Sequence, residues 1–401
     1  MRVALIIERI ETWRGGAETS TLQFAQHLAE LGAEVHILTT THAPSTPDLT
    51  VVPIRASHRL RGSRAIAFAH RVGQTVREGN FDIVHSIIPC AVADIYQPRG
   101  GTVPEMLERN LAIRSARLAR GLKKAGQCLN LKYRAIARME RQLLTRRPPP
   151  WVIAISHYVS DQLHRHYGFD RSRVREIFNG VDGDETPVPV RVQHRAELRR
   201  QFRLADNELM LLCVAHNFKL KGVDRLIEAV ARIESQGGVG GTTGKRRLRT
   251  LVVGRDNPRA AAQLAHRLGV ADRITFTGST QRIQAFFHAA DVLVHPTFYD
   301  PCSRVVLEAL ASGLPVITTR FNGAAERVTD GREGYVIDSP MDIAALAEAI
   351  MRLADDDHRR ACAAAAPRVV EGVSMRVHAQ RVYELYMEVQ AGGDLRQGGY
   401  R

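Results

Sequence analysis

The feature that most limits the possible folds is a regular alternation of two kinds of segment. Short runs dominated by apolar residues, such as 2–7, 81–88 and 209–215, alternate with longer stretches such as 19–32, in which apolar residues recur at helical spacing. The short runs are typical of strands buried on both faces of a parallel sheet, and the longer stretches of the helices that cover it. Because the alternation restarts in the second half of the chain, the sequence predicts two α/β domains.

Length and charge narrow the possible functions. The 401 residues include 44% hydrophobic ones, enough for two domains that each have a core. The formal net charge is +14. Such a charge predicts a polyanionic partner, which could be nucleic acid, an anionic membrane surface or a phosphorylated substrate. No zinc-finger spacing or RNA-recognition motif accompanies it, so we expect no nucleic-acid partner.

Cysteine usage and hydropathy predict a location. The five cysteines are scattered without a CxxC pair, which is typical of a reducing compartment and of a protein without disulfides or a zinc site. The first residues run directly into a predicted strand and lack the pattern of a signal peptide. No stretch reaches the about 18 apolar residues of a membrane-spanning helix. We therefore expect a cytoplasmic protein.

A basic helical segment covers residues 105–147. It holds twelve Lys or Arg against three acidic residues. Its leucines and isoleucines leave room for an apolar stripe flanked by basic residues, as in helices that lie on anionic lipid. The basic residues expected at such a surface, or at the acceptor, are Arg114, Arg117, Arg120, Lys123 and Lys124. The alternative is a solvated helix packed on its own domain.

The stretch 295–331 combines two carboxylates with a predicted helix start. Asp300 lies in a loop after a strand, and Glu308 lies in the second turn of the helix that follows. The start of a helix offers backbone N–H groups that favour an anion, particularly a phosphate. Here these groups belong to Ser303, the predicted N-cap, and to Arg304 and Val305. One short element could thus bind a diphosphate and hydroxyls on both sides of it.

The spacing of Asp300 and Glu308, together with the sequence LEALASGLPVI, resembles the donor-binding motif of the family 4 retaining glycosyltransferases. In that family the first acid contacts sugar hydroxyls and the second contacts the ribose of a sugar nucleotide. The resemblance therefore implies these roles for Asp300 and Glu308. Two departures are visible, because the first acid is usually Glu and because Ser303-Arg304 stands where Gly and an apolar residue are usual. The alternative for Glu308 is an ion pair on an exposed helix face.

A basic loop follows the first predicted strand of the second domain, over residues 216–222. Family 4 enzymes carry an Arg and a Lys here that neutralise the departing diphosphate. The resemblance implies that role for Lys221 and places His216 at the usual Arg position, with Asn217 beside it. Lys219 could supply the missing charge. The alternative is a solvated lysine on a loop.

Three positions in the first domain are further candidates. Gly15 and Gly16 precede the first helix, where the corresponding family 4 loop faces the donor diphosphate; a plain tight turn is the alternative. His85 lies at the end of a buried strand, where α/β proteins place chemistry, and is a candidate for contact with the acceptor; a structural histidine is the alternative. The segment DIY resembles a loop of the bacterial lipopolysaccharide core glucosyltransferases in which an Asp faces the acceptor. This implies an acceptor-side catalytic role for Asp94, with a hydrogen-bonded loop carboxylate as the alternative.

The resemblance implies the GT-B fold, with two Rossmann-like domains that face a cleft. It predicts an acceptor-binding domain over residues 1–182, a nucleotide-sugar-binding domain over residues 183–373, and a helix over residues 374–390 that crosses back to the first domain. Asp182-Gly183-Asp184 could be read as a metal-binding DxD motif, but it lies in the predicted linker and we interpret it as structural. Residues 235–249 are rich in glycine and then basic, which favours a flexible surface insertion.

The implied activity is hexosyl transfer with retention, from a nucleotide sugar to a membrane-associated glycolipid or polysaccharide precursor. UDP-glucose as donor and the lipopolysaccharide core as acceptor are what the resemblance suggests. It implies no metal and no cofactor beyond the nucleotide sugar, and a peripheral position on the cytoplasmic face of the inner membrane. Two alternatives stay open: a nucleotide-sugar epimerase of the same fold, and a membrane-surface binding protein with a degenerate transferase site.

Overall fold

The structure is a computed structural model, and it describes residues 1–10, 16–41, 49–55, 63–114, 117–241 and 244–392. The chain divides into two compact units. Unit 1 consists of Met1–Gly180 and Val373–Arg401, and unit 2 of Val181–Gly372. Among the described helices, none combines the length and the apolar character needed to cross a membrane.

Unit 1 is built on a sheet of seven parallel strands in the order β3-β2-β1-β4-β5-β6-β7. The strands are β1 (Arg2–Ile6), β2 (Glu34–Thr39), β3 (Leu49–Pro53), β4 (Ile83–Ser86), β5 (Ile95–Tyr96), β6 (Trp151–Ala154) and β7 (Val174–Glu176). The helices before residue 180 are α1 (Gly16–Glu30), α2 (Ser63–Glu78), α3 (Val103–Ala112), α4 (Arg117–Leu129), α5 (Leu131–Thr145) and α6 (His157–Tyr167).

The composition of β1 explains why helices cover both faces of this sheet. Val3 and Leu5 point into one hydrophobic core, whereas Ala4 and Ile6 point into another. Because successive side chains of a strand alternate between faces, an entirely apolar strand must be buried on both sides. The predicted basic segment 105–147 is helical and contains most of α3 and all of α4 and α5.

Unit 2 contains a second sheet, with six parallel strands in the order β11-β10-β8-β12-β13-β14 and with β9 antiparallel to β10. The strands are β8 (Glu208–Val214), β9 (Val239–Gly241), β10 (Gly244–Val253), β11 (Ile274–Gly278), β12 (Val292–His295), β13 (Val316–Thr319) and β14 (Gly334–Ile337). The helices are α7 (Val188–Gln201), α8 (Val223–Ser235), α9 (Arg259–Arg267), α10 (Ile283–Ala289), α11 (Arg304–Ala311), α12 (Ile343–Arg352) and α13 (Asp356–Ala365).

The expectation of a flexible surface insertion over residues 235–249 was wrong. Much of this stretch forms β9 and the first half of β10, and Arg247 already pairs in register with Glu208 of β8. Leu248 is fully buried, and the guanidinium of Arg246 donates two hydrogen bonds of 2.7 Å to Asp356. Partners distant in sequence therefore order a run whose glycines and charges suggested a loop.

The last helix, α14 (Met375–Ala391), completes unit 1 from the far end of the chain. Ser374 caps it by accepting a hydrogen bond from the Val377 N–H at 3.2 Å. One face of α14 is buried in the same core as β1 and α1, through Met375, Ala379, Val382, Leu385, Tyr386 and Val389. The first domain is thus assembled from both ends of the sequence.

Candidate active site

The candidate site of unit 2 lies where three neighbouring strands end. β8, β12 and β13 are adjacent and parallel, so the loops that follow them leave the sheet at the same edge. Such edges are where ligands bind in open α/β sheets. The loop after β8 carries Lys221, the loop after β12 carries Asp300, and the loop after β13 carries Asn322.

Lys221 and Asp300 form the centre of this site. The Lys221 ammonium donates a hydrogen bond of 2.5 Å to Asp300 Oδ2 and one of 3.3 Å to the Tyr299 carbonyl. Burial would raise the pKa of Asp300, but the Lys221 charge and His295 outweigh it and hold the pKa far below its ordinary value. The two residues implied for diphosphate and sugar binding are therefore in direct contact.

The backbone on both sides of this ion pair is fixed. The Asp300 N–H donates to the Phe321 carbonyl at 2.9 Å, and the Asp300 carbonyl accepts from the Gly323 N–H at 3.0 Å. Gly222, beside Lys221, has a φ of +71°, and a Cβ there would lie 2.1 Å from the Pro296 carbonyl oxygen. A glycine is required for this close approach, which brings the β8 loop against the β12 loop.

The start of α11 differs in part from the expectation. Ser303 is the N-cap residue, as predicted, but its side chain makes no capping bond. Its N–H is not available to an anion, because it donates to the Asn322 side-chain oxygen at 3.0 Å. The Asn322 amide in turn donates to Thr318 Oγ1 at 3.0 Å. Arg304 and Val305 stay in the first turn, where N–H groups have no intrahelical acceptor.

Asn322 is a residue of the site that sequence reasoning missed. It is 1% exposed and holds the loop after β13 against the start of α11. The Asn-Gly pair at 322–323 signals a turn, but only the contact with Ser303, 19 residues away, reveals its role.

Glu308 pairs with the arginine one turn before it. Arg304 Nε and Nη2 lie 3.2 and 3.1 Å from Glu308 Oε1. This is the ion pair that the sequence left open as an alternative. Glu308 also lines a cavity of about 270 Å³ together with Gln284 and residues 182–186. Because Arg304 contacts Oε1 and Glu308 also borders the cavity, the other carboxylate oxygen, Oε2, is left for a ligand.

The predicted linker acid Asp184 is held by protein groups. Asp184 Oδ2 lies 2.7 Å from His288 Nε2, and Asp184 Oδ1 accepts from the Thr186 N–H at 3.0 Å. Burial would raise the pKa of Asp184, but the hydrogen bonds from Thr186 and His288 lower it to about 2. Within the described parts of the chain, the one group with metal-ligand spacing is Glu105, Glu108 and His166 of unit 1, and it does not include Asp182 or Asp184.

The remaining residues of the β8 loop line a separate groove. His216, Asn217 and Lys219 are exposed and line a groove of about 290 Å³, to which Asp224 and Asp256 also contribute. The Asn217 side chain accepts from the Leu220 N–H at 3.0 Å and so stabilises the loop. Lys221 therefore contacts Asp300, whereas Lys219 faces this groove.

In unit 1, the two predicted glycines are only partly described. Gly15 lies outside the described residues, and Gly16 is the first residue of α1. Sequence reasoning missed Arg99, which follows β5 at the carboxyl edge of the sheet. Arg99 Nη1 donates to Ser20 Oγ at 3.3 Å and to Thr21 Oγ1 at 2.9 Å, in the second turn of α1. A charged residue in the loop that follows a strand was the available signal.

His85 lies in the core of unit 1 rather than at a surface that an acceptor could reach. It is fully buried, and its Nδ1 lies 2.5 Å from the Tyr386 hydroxyl of α14. Burial and the nearby Arg99 charge lower the pKa of His85 well below its ordinary value, so the ring is neutral. These contacts correspond to the structural alternative for a lone histidine at a strand end.

Asp94 precedes β5 and is level with the middle of β4. Its Oδ2 accepts from the Val84 N–H at 2.8 Å, and its own N–H donates to the Val84 carbonyl at 2.9 Å. β4 and β5 both end two residues further on, roughly 7 Å along a strand. This placement favours the alternative of a hydrogen-bonded structural carboxylate over contact with an acceptor.

The basic segment presents leucines as well as charges. Leu118, Leu122 and Leu129 of α4 are 77%, 69% and 77% exposed. Among the predicted basic residues, Arg120 and Lys124 are exposed and Arg114 and Lys123 are half-buried, while the side chain of Arg117 lies outside the described part of the chain.

Two family models match consecutive parts of the sequence. The model for Glycosyltransferase Family 4 covers residues 14–185, and the model for Glycosyl transferases group 1 covers residues 194–369. The chain belongs to the family 4 glycosyltransferases. Lys221, Asp300 and Glu308 of this family 4 glycosyltransferase lie in the matched range 194–369, and Gly15-Gly16 lies in the matched range 14–185.

Individual proteins agree with this assignment. The chain is 27% identical to the lipopolysaccharide glucosyltransferase WaaG of Escherichia coli K12, over 81% of this chain and 82% of that protein. It is 29% identical to a D-inositol 3-phosphate glycosyltransferase of Streptomyces avermitilis, over 85% of this chain and 76% of that protein. The crystal structure of WaaG matches with a TM-score of 0.78 at 23% identity, covering 96% of this chain and 99% of that chain. The predicted GT-B fold of this family 4 enzyme is confirmed.

Proposed function

We propose that this glycosyltransferase moves glucose from UDP-glucose, with retention of configuration, onto a phosphorylated, membrane-associated glycolipid. The observation that carries the proposal is the contact of Lys221 with Asp300 beside the start of α11. A cation, a carboxylate and helical N–H groups in one place can bind the diphosphate and the sugar of one molecule. Similarity to a lipopolysaccharide glucosyltransferase supports glucose as the sugar and a glycolipid as the acceptor.

Each part of the donor has a proposed partner. The diphosphate binds Lys221 and the N–H groups of Arg304 and Val305, where positive charge and the helix dipole favour an anion. Asp300 accepts hydrogen bonds from sugar hydroxyls. Glu308 accepts from the ribose through the oxygen that Arg304 does not occupy.

The same groups stabilise the leaving diphosphate. As the bond to the sugar breaks, negative charge develops on the diphosphate and positive charge on the sugar carbon. In this proposal Lys221 and the start of α11 lie beside the diphosphate, where the negative charge forms. Fixed positive charge of this kind is usually the largest single contribution to catalysis. The acceptor attacks the face that the diphosphate leaves, and the departing phosphate takes the acceptor proton. Fixed protein charge serves in place of a metal ion.

The acceptor proposal rests on α4. Exposed leucines at positions 118, 122 and 129 share one face of the helix, and Lys123 and Lys124 lie between them in the sequence. A soluble acceptor such as inositol phosphate, the substrate named for the Streptomyces avermitilis relative, gives no reason for such a face. A membrane-embedded acceptor does, because leucines can insert into lipid while lysines contact anionic headgroups.

The test begins with the donor. Thermal unfolding is followed in EDTA with UDP, GDP or ADP, each at high concentration. A ligand at about a hundred times its dissociation constant stabilises the protein by about 2.7 kcal/mol, so the correct base raises the unfolding temperature measurably. A selective shift with UDP supports the proposal. A selective shift with GDP or ADP would mean that the donor carries that base instead of uracil. No shift with any of the three nucleotides contradicts a working donor site.

Transfer is then measured as UDP release from UDP-glucose. One set of reactions contains vesicles with a phosphorylated glycolipid, and the other contains inositol 3-phosphate. Release that depends on the glycolipid supports the proposal, whereas release with inositol 3-phosphate alone moves the assignment to a soluble acceptor. The anomeric configuration of the product, determined by NMR, tests retention.

A further inference from the structure

A buried histidine of the site has no hydrogen bond. His295, the last residue of β12, is 1% exposed, and neither of its ring nitrogens has a hydrogen-bond partner among the described residues. Its Nε2 lies 3.6 Å from Asp300 Oδ2, the same oxygen that Lys221 contacts at 2.5 Å. Buried polar groups are normally paired, so an imidazole in this position needs an explanation.

The proposed function requires Lys221 to change partner. Its ammonium has three N–H donors, but while one of them stays 2.5 Å from Asp300 the carboxylate neutralises much of the charge that the donor diphosphate needs. When Lys221 turns to the diphosphate, Asp300 loses its partner while it is only 16% exposed. A carboxylate left uncompensated in such a place is costly and would take up a proton, which would weaken it as an acceptor for sugar hydroxyls.

We propose that His295 is a positioning residue that takes over Asp300 when Lys221 binds the donor diphosphate. In the neutral ring with its proton on Nε2, His295 donates to Asp300 Oδ2 after a movement of about 0.7 Å. Asp300 then stays ionised and turned toward the sugar. The proposal rests on the proposed function, because that function gives Lys221 its second partner.

The surroundings favour a movement of side chains alone. The Asp300 backbone is fixed by its bonds to Phe321 and Gly323. The backbone of His295 is also fixed, since β12 pairs with β13 and the His295 carbonyl accepts from Thr318 Oγ1 at 3.1 Å. The carboxylate and the imidazole are therefore held close enough for a small rotation to close the gap.

The first test uses His295→Phe, which keeps a ring but removes both nitrogens, and His295→Gln, which keeps a donor. With UDP-glucose we expect kcat of His295→Phe to fall about tenfold to a hundredfold, while UDP, which has no sugar, binds as it does to the wild type. His295→Gln should recover most of kcat. Unchanged kcat in His295→Phe, or equal losses in both variants, overturns the proposal.

The second test does not depend on activity. Unfolding temperatures are compared for the wild type, Lys221→Met, His295→Phe and the double variant. Because Asp300 relies on His295 once Lys221 is absent, the double variant should lose more than the sum of the single losses. The excess should disappear when all four proteins also carry Asp300→Asn. Additive losses would show that His295 and Lys221 do not share Asp300.

The two tests separate failure of the inference from failure of the proposed function. If the losses in unfolding temperature are non-additive but no UDP is released from UDP-glucose, His295 remains the partner of Asp300 and UDP-glucose is rejected as the donor. Normal release of UDP together with additive unfolding losses and normal kcat in His295→Phe would retain the function and reject the role of His295.

Discussion

Asp300 shows how one residue can link stability to function. Its carboxylate is ionised despite burial, because Lys221 and His295 hold its pKa far below the ordinary value. The unfolded chain binds a proton at this side chain near pH 3.9, whereas the folded chain does so only at a lower pH. The stabilising contribution is therefore complete above about pH 4 and is lost as the pH falls through the folded pKa.

This predicts a pH effect that can be measured. Asp300→Asn should reduce the loss of unfolding free energy between about pH 4 and pH 2, because its side chain takes up no proton. Asp338→Asn is the matched control, since it makes the same change at a side chain that is 92% exposed. Urea unfolding at several pH values gives the slopes. An Asp300→Asn slope equal to that of the wild type would contradict the ionised state of Asp300.

The two implied donor contacts should separate in kinetics. Glu308→Ala removes a contact to the ribose, which is the same in the ground state and in the transition state, so KM for UDP-glucose should rise about tenfold with kcat little changed. Lys221→Ala removes charge that acts mainly in the transition state, so kcat should fall about a hundredfold. Initial rates at varied UDP-glucose distinguish the two. Equal, small effects from both substitutions would reject the assignment of the donor site.

The residues of the site differ in how readily their roles can be predicted from the sequence. Asp300, Glu308 and Lys221 stand in local patterns, because a spacing of eight residues or a position before a glycine can be read directly. The roles of His295 and Asn322 could not be read in this way. Asn322 is defined by Ser303, which the pairing of β12 with β13 brings close, and His295 is defined by the return of the β12 loop, which places Asp300 3.6 Å from it. The sequence contains no local pattern for either contact.

At the scale of elements, strands that are apolar on both faces were predictable. The run 2–7 corresponds to β1 and the stretch 19–32 lies largely in α1, because burial on two faces and helical periodicity leave clear patterns. The first half of β10 was not predictable. Its order comes from β8, Asp356 and the pairing with β9, which outweigh the weak strand preference of glycine and lysine.

Helix α4 carries a prediction about membrane binding. Leu118→Gln with Leu122→Gln removes two exposed leucines from one face, and each leucine that enters lipid contributes about 1.5–3 kcal/mol. We expect partition to anionic vesicles to fall at least about tenfold in a sedimentation assay. Met341→Gln with Met351→Gln, at exposed methionines of unit 2, is the control.

The charges on α4 should act differently from its leucines. Lys123→Gln with Lys124→Gln should weaken binding to anionic vesicles by about 1 kcal/mol per residue and leave binding to neutral vesicles unchanged. Salt should reduce the effect of these lysines but not that of the leucines. Vesicle binding that survives both double substitutions would place the membrane contact outside these residues of α4.

At the scale of the whole molecule, the chain completes its first domain last. Residues 1–180 supply the sheet of unit 1, but one core of that sheet also needs α14, almost two hundred residues later. Leu385 of α14 is 1% exposed in this core, and the hydroxyl of Tyr386, also on α14, contacts His85 of β4. The stability of unit 1 therefore depends on a segment that follows unit 2 in the sequence.

The final prediction tests this dependence. Leu385→Ala should destabilise unit 1 by about 2–5 kcal/mol, since it leaves a cavity in a fully packed core. Trp151 is the first residue of β6 in unit 1, so its fluorescence reports the unfolding of that unit. The fluorescence midpoint should fall by several degrees, whereas Met387→Ala, at a side chain of the same helix that is 49% exposed, should leave it within about a degree. Equal midpoints in the two variants would mean that α14 does not stabilise the fold of unit 1.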